Sequence, residues 1–531
     1  MIRYTKYINQ NYHYLIFFLF LSLQVLSYDD YGYSWDESLT RLNGIVSFNY
    51  ILEKLNILEN LKYDNVPNLN DYIDNEYGVF FELINILFEK TLSLNDSLDI
   101  FYFRHLINCL FFFIASIYFY HTLNLFYSKK ISVLGFLLFI LHPRIFAQSF
   151  YNSKDIIFLV FFCISNFYFI KFFITKRIKF LFLLSLIIAF TIGIRVMGII
   201  IPGIFTLFYI LENLEKNKFK KIYLIIPFLI STILFTIIFW PYLWENPLNL
   251  ISSFKSMSDY EWKGLVFFES KYYSAQYLPW YYLPKTILIT TPILYILLFI
   301  IGSILIFKFL LLNLINLKDN SKNIWENKEE LFCFYSIIIV YFTIGLIIEL
   351  NSTLYNGWRQ VYFIYPSIVF ICVYGLNKLL SINNIRKFVL TIFGIFLIYI
   401  LNWNYQNHPY QYVYYNELIN NKIIKNYELD YWGVSNLKIL KKILEISKDK
   451  KIKIYKYSNA PYEYSLNMIK KDQRNRLIFT NTIDNAQYIV TNYIYRSKKP
   501  HIKDTNLIND FKLVYEINLD NVSINSIYKK K

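Results

Sequence analysis

Hydrophobic and polar positions along this chain alternate in long blocks. Apolar runs of about 17 to 25 residues, the length that crosses a bilayer, recur near 12–28, 100–121, 130–146, 156–174, 179–194, 196–213, 221–240, 285–310, 331–349, 360–378 and 387–403. The pattern predicts about eleven membrane helices. The polar stretch 29–99 carries IVSFNYILEKLNILENL and YGVFFELINILFEKTL, whose apolar positions fall near i, i+3, i+4 and i+7. That spacing predicts amphipathic helices lying along a membrane surface and walling one side of a cavity, with the loop 241–284 as the other wall. Beyond residue 403 the period changes: KIKIYKY, RLIFT, AQYIVTNY and FKLVYEIN are short β-rich runs, and a helical stretch lies near 435–447. The expected architecture is a mainly α, polytopic transmembrane bundle over 1–403, with a small α/β domain over 404–531.

Charge then sets the orientation. The 531 residues are 56% hydrophobic with a formal net charge of +16. The basic residues cluster around 129–130, 171–179, 216–221, 318–328 and 378–387, the alternate loops that face the cytoplasm when the N-terminus does. Lipid topology therefore accounts for the charge, and no nucleic-acid partner is expected. The first apolar run follows Arg3 and Lys6 and ends in SYDDYGYSWDE, without a small-residue cleavage site, so it reads as a retained span. An odd number of spans sends the tail to the external face. Cys109, Cys163, Cys333 and Cys372 all fall inside apolar runs, which offers neither a disulfide framework nor metal-ligand spacing.

With this topology six unusual polar clusters share the external side: YSWDES at 33–38, HPRIFAQSFYNSKD at 142–155, GIR at 193–195, WPYLWENP at 240–247, LYNGWRQ at 354–360 and NHPYQYVYYN at 407–416. The carboxylates of Asp36 and Glu37 can accept a proton from an attacking hydroxyl or amine, or hold a divalent cation. Against them stand Arg104, His142, Arg144, Lys154, Arg195 and Arg359 at or near the ends of spans. Charges at such depth are costly unless paired or occupied, and guanidinium groups suit phosphate, so a lipid-linked phosphate would satisfy several together. Each feature also has a plain structural reading. Ser34 is a candidate helix N-cap before two acids, Arg144 and Lys154 fit snorkelling anchors, His142–Pro143 fits a span terminator, and Trp240, Trp244, Trp262, Trp280 and Trp358 fit an interfacial belt. Coincidence on one side is what those readings leave unexplained.

A first external loop opening on an Asp-Glu pair resembles the GT-C glycosyltransferases, specifically the bacterial family 39, protein O-mannosyltransferase-like group. HPRIFAQSFYNSKD, WPYLWENP, LPWYYLPKTILITTP, LYNGWRQVYFIYP, HPYQYVYYN and the later DYWG at 430–433 resemble that group's recurring blocks in order, to about residue 436. The resemblance implies a multi-pass enzyme of the bacterial inner membrane that moves a sugar from a polyprenyl-phosphate carrier to a glycan, lipid or protein acceptor at the periplasmic or external face, with inversion. It implies Asp36 as the base, Glu37 beside it for orientation or substrate contact, Arg144 and Asp155 at the site, and Arg359 at the carrier phosphate. No cofactor is required by it, and a divalent cation stays open. The carbohydrate-binding-like repeats of the eukaryotic mannosyltransferases are not recognisable in 404–531, so acceptor identity does not carry over. A lipid-glycan transporter or flippase is the alternative; it predicts ionisable groups at the bilayer midplane and internal pseudo-symmetry, neither of which the sequence displays.

Overall fold

The computed structural model describes residues 2–215, 219–258, 260, 262–317, 324–420, 423–494 and 509–531. The basic-loop residues at 216–218 and 318–323 lie outside the described residues. Each expected apolar segment falls on helix. Among the described residues, eight helices are long and apolar enough to cross a membrane: Ser97–Leu123, Asp155–Thr175, Val196–Asn213, Ile222–Phe239, Ile293–Ile315, Lys328–Glu349, Arg359–Leu380 and Asn383–Gln406. Asn11–Ser27 and Ile178–Ile192 are shorter apolar helices. The chain is a multi-pass membrane protein, mainly helical.

Two expected spans are broken. The segment near 130–146 becomes Lys129–Leu141 and Pro143–Tyr151, bent by 65°. His142 takes extended backbone (φ −64°, ψ 116°) and Pro143 starts the second helix, where its missing N–H costs nothing. The segment near 285–310 becomes Tyr282–Thr290 and Ile293–Leu317. Pro292 disfavours helical backbone at the residue before it, and Thr291 is extended (φ −104°, ψ 134°).

The first long loop folds as Glu37–Leu55 and Phe80–Thr91, which pack on each other through Ile45, Phe48, Leu52 and Ile86. Asn56, at φ 51°, ends the first helix in the left-handed conformation that asparagine tolerates. Gly78 pins this loop to the turn at Gly193: a Cβ there would sit 2.5 Å from the Gly193 carbonyl, and two residues on, the Phe80 N–H bonds that same carbonyl at 3.0 Å. The loop 241–284 holds the helix Asn249–Ser258 and a hairpin of β1 (Leu265–Phe268) and β2 (Lys271–Ser274).

The tail forms a mixed sheet from β3 (Ile452–Lys456), β4 (Leu477–Thr480), β5 (Tyr488–Asn492), β6 (Phe511–Leu519) and β7 (Val522–Lys530), in the order β4-β3-β5-β7-β6. β3 runs parallel to both β4 and β5, with Ile454 opposite Tyr488, while β7 is antiparallel to β5 and β6. The amphipathic helix Ser435–Ile446 turns Ile439, Leu440 and Ile443 inward, joining Ile454, Val490 and Ile527 in one core. Residues 407–434 pack among the helices: Gln411 accepts from the Tyr31 hydroxyl (3.0 Å), and Asn416 donates to the carbonyls of Leu288 and Thr291. The tryptophans do not form one lipid-facing belt. Trp240 and Trp358 are wholly buried, the latter donating to Thr290 Oγ1 at 2.9 Å, whereas Trp280 is exposed.

Candidate functional site

The charged residues gather at one end of the bundle because each stands at an element boundary. Asp36 is the N-cap position of Glu37–Leu55, and Asp155 opens Asp155–Thr175. Arg195 follows the Gly193 turn, and Arg359 opens a short 3-10 stretch, Arg359–Ile364. Asn152 fixes Asp155 from both sides: its Oδ1 accepts the Asp155 backbone N–H at 2.9 Å, and its Nδ2 donates to the carboxylate at 3.1 Å.

Arg359 is the hub. Its Nη1 lies 3.0 Å from Asp36 Oδ2 and 3.0 Å from Asp155 Oδ2, and Arg195 Nη2 pairs with the other oxygen of Asp155. The guanidinium is sandwiched by aromatic faces, 4.5 Å from the Trp432 ring centre and 4.7 Å from that of Tyr355. Stacking of this kind holds a planar cation in one orientation. The side chains of Arg359 and Asp155 are buried, and that of Asp36 is 43% exposed, so one carboxylate of the three-way contact faces outward. Beside them the Lys154 ammonium sits 3.4 Å above the centre of the Tyr77 ring. Burial, and behind it the Arg195 guanidinium, push the Lys154 ammonium down to about 7.

The donor count is uneven. Arg195, Arg359 and Lys154 face Asp36 and Asp155, and buried Nε atoms on both arginines have no hydrogen-bond partner among the described residues. A buried donor left unpaired costs about 1–3 kcal/mol, so such a pair of vacant N–H groups favours an anion with several acceptor oxygens. A divalent cation fits less well. The Arg359 guanidinium occupies the space between the two carboxylates, two carboxylates supply few of the oxygens a hard cation takes, and no group of three or more His, Cys, Asp or Glu side chains converges for a metal among the described residues.

Four of the other expected residues lie apart from this hub. Glu37 turns away from Asp36: its carboxylate accepts the Ser34 N–H at 2.6 Å and meets His105 Nε2 at 2.8 Å. Arg104 is held by Glu82 and by Glu89, the latter at 2.9 Å. His142 is enclosed by the rings of Tyr295, Trp358 and Tyr365. Arg144 donates through Nε to the Tyr414 carbonyl (2.9 Å), with its guanidinium 4.7 Å over the Tyr415 ring.

In overall structure the chain is similar to ArnT from Cupriavidus metallidurans in the apo state (10% identity, TM-score 0.47, 98% of each chain covered). It is similar also to that protein bound to undecaprenyl phosphate (10% identity, TM-score 0.45, 97% of this chain and 98% of that one). A third likeness is to the archaeal oligosaccharyltransferase AglB from Archaeoglobus fulgidus in complex with an inhibitory peptide and a dolichol-phosphate (10% identity, TM-score 0.42, 91% of this chain and 70% of that one). No family model matches the chain, and no curated protein does.

Sequence reasoning missed the residues that orient the hub. Tyr355, Trp432, Asn152 and Gln148 have no spacing that marks them, because they come from distant segments. Gln148 donates to the hydroxyls of Tyr362 (2.7 Å) and Tyr431 (3.0 Å) and accepts from Asn152 (2.9 Å), joining the blocks HPRIFAQSFYNSKD, LYNGWRQVYFIYP and DYWG. The weak signal available was DYWG itself, a polar-aromatic block placed just outside the last span.

Proposed function

We propose that this protein is a membrane glycosyltransferase that moves a sugar from a polyprenyl-phosphate carrier to an envelope acceptor, a glycan, lipid or protein. The observation that carries the reading is the Arg359 hub: a stacked, buried guanidinium joined to one buried and one outward-facing carboxylate, with vacant N–H donors around it. The chemistry asks for both parts. The carrier phosphate leaves as an anion, and fixed cations in a site of low dielectric stabilise that charge as it develops. The acceptor hydroxyl loses its proton as its oxygen attacks the donor C1. The outward-facing Asp36 carboxylate takes that proton, the C1–O bond to phosphate breaks with its electron pair on the phosphate oxygen, and the new glycosidic bond forms on the opposite face. Asp155, tied to Arg195, Arg359 and Asn152, keeps the guanidinium groups in register. The ordered sequence blocks from 142 to 433 support the same reading, as does their position next to long apolar helices that suit a polyprenyl tail.

The test is sugar release from radiolabelled polyprenyl-phosphate sugars by the purified full-length protein, with an envelope extract as acceptor. Carrier-dependent turnover that Asp36→Asn removes, while carrier binding and melting temperature persist, is the expected result. Binding of a lipid-linked glycan with no bond broken for any donor would overturn it in favour of a flippase.

A further inference from the structure

A cavity lies beside the hub, and its polar groups are not used by the chemistry above. It is about 20 Å³, room for one or two waters or a single substituent, and is lined by Arg144, Tyr282, Thr286, Tyr415, Glu428 and Tyr431. Hydrogen bonds connect it to the hub: Gln148 donates to the Tyr431 hydroxyl and accepts from Asn152, which donates to Asp155.

Most of its polar atoms are already engaged. The Tyr282 hydroxyl is bonded to both the N–H (3.1 Å) and the carbonyl of Gly357, Thr286 Oγ1 donates to the Tyr282 carbonyl (2.6 Å), and the Tyr415 hydroxyl donates to the Glu428 carbonyl (2.8 Å). Two groups keep capacity. Arg144 is 2% exposed and its Nη2 has no partner among the described residues. Glu428 is 5% exposed; its Oε1 accepts a long bond from the Phe267 N–H at 3.3 Å, and the Asn356 side chain also bonds the carboxylate. The carboxylate lines the cavity, and these two bonds leave part of its acceptor capacity unfilled.

One buried donor and one buried acceptor across a space this small select the ligand group. An ammonium satisfies Glu428 and is repelled by Arg144. A carboxylate satisfies Arg144 and is repelled by ionised Glu428. A hydroxyl accepts from the first and donates to the second, leaving neither unpaired. Resting on the glycosyl-transfer reading, we infer that the Arg144–Glu428 cavity is a specificity subsite that receives one hydroxyl of the donor sugar while the carrier phosphate lies at Arg359. Burial raises the Glu428 carboxyl to about 7 against the hydrogen bonds from Phe267 and Asn356 and the charges of Arg144 and Arg359, so hydroxyl capture works in either protonation state of that group, whereas capture of a carboxylate would fade as the pH rises.

The experiment is binding by the full-length protein in nanodiscs of undecaprenyl phosphate alone, of undecaprenyl phosphate carrying glucose, mannose, galactose, arabinose, an aminosugar or a uronic acid, and of each monodeoxy form of the best sugar. One deoxy form is expected to bind about 10- to 100-fold more weakly than its parent, the loss produced when buried partners are left unpaired. Glu428→Leu, which removes the acceptor altogether, is expected to bring the parent down towards that deoxy form while leaving undecaprenyl phosphate itself unchanged. Thr286→Leu, which fills the cavity without touching either charged group, is expected to do the same. Equal losses on parent and deoxy forms, or a best ligand bearing an amine or carboxylate at that position, overturn the subsite and leave the glycosyltransferase reading standing. No binding of undecaprenyl phosphate by the unaltered protein overturns both.

Discussion

Two buried charge clusters lie side by side in this protein, and they are built from neighbouring residues of the same types. In one, Arg41 and Arg104 share Glu89, Arg104 also holds Glu82, and His105 holds Glu37. Three acids meet two arginines and a histidine, and neither arginine leaves a buried donor vacant among the described residues. In the other, Arg359 and Arg195 hold Asp155, Asp36 reaches outward, and guanidinium donors stay unpaired. Lys154 of the second cluster and Glu82 of the first line a common cavity of about 20 Å³. Closure marks the first as a clamp between the long loop and the helix Ser97–Leu123; the incompleteness of the second is what the proposed function assigns to a ligand. Adjacent residues Asp36 and Glu37 fall on opposite sides of that divide.

Exchanging acids across the divide breaks the comparison most sharply. Asp36→Asn is expected to lower turnover by about 10²- to 10⁴-fold, the range for loss of a positioned base, with the melting temperature unmoved. Glu37→Gln should do the reverse, because it disturbs the bonds to Ser34 and His105 and nothing at the hub. Parallel kinetics and thermal melts of both variants decide; equal kinetic losses would erase the distinction. Next in size, Arg104→Met strands Glu82 without its cation and leaves Glu89 to Arg41 alone, and breaking a buried pair costs about 3–5 kcal/mol. A denaturation midpoint that barely moves would show that the clamp holds nothing together.

Titration sharpens the comparison further. Since the Lys154 ammonium is pushed down to about 7, affinity for undecaprenyl phosphate should weaken between pH 6.5 and 9 as the apo ammonium is lost. Lys154→Met should bind weakly at every pH and remove the slope, which a titration series reads directly. Glu428 acts on stability with a definite sign. Its carboxyl is raised from 4.5 to about 7, so the folded chain holds a proton that the unfolded chain releases. Stability is therefore full below the ordinary carboxylate range and is lost as the pH rises through 7, and Glu428→Gln should flatten that part of the melting curve.

The helices were legible because burial in lipid demands long apolar runs, and the strands of the tail because β3 to β6 keep high β-propensity. β7 was not: NVSINSIYKK carries polar residues at buried positions, where Asn525 and Ser526 bond inward rather than to water. The break at Thr291 was masked by flanking hydrophobicity, although Pro292 stood in view, whereas the one at His142 agrees with reading His142–Pro143 as a span terminator. At the hub, charge at span ends drew notice to Asp36, Asp155, Arg195 and Arg359 one at a time. Which acid meets which cation depends on side-chain direction at helix starts, and that is a property of packing. Hence Arg104 and Arg359 read alike in the sequence and serve different clusters in the fold.

The smallest predicted effect concerns how the tail reaches the hub. Trp432 stacks on Arg359 from a turn in which Gly433 has φ +69°, and a Cβ on Gly433 would lie 2.8 Å from Trp35 Nε1, so the turn has room for glycine alone. Asp430 anchors that turn by accepting from the Tyr412 and Ser435 hydroxyls, from the Ser435 N–H (3.2 Å) and from Asn492 Nδ2 (2.8 Å) at the end of β5. A strand of the tail sheet thus sets the position of an aromatic ring on the central guanidinium. A cation–π contact of this kind contributes about 0.5–2 kcal/mol, so Trp432→Leu should weaken undecaprenyl phosphate binding by roughly 2- to 30-fold, and Trp432→Phe by less. Asn492→Ala, far from any ligand, should give a smaller loss in the same direction. If Trp432→Leu lowers the melting temperature and leaves carrier affinity untouched, the ring only fills space, and the tail's contact with the hub is packing rather than positioning.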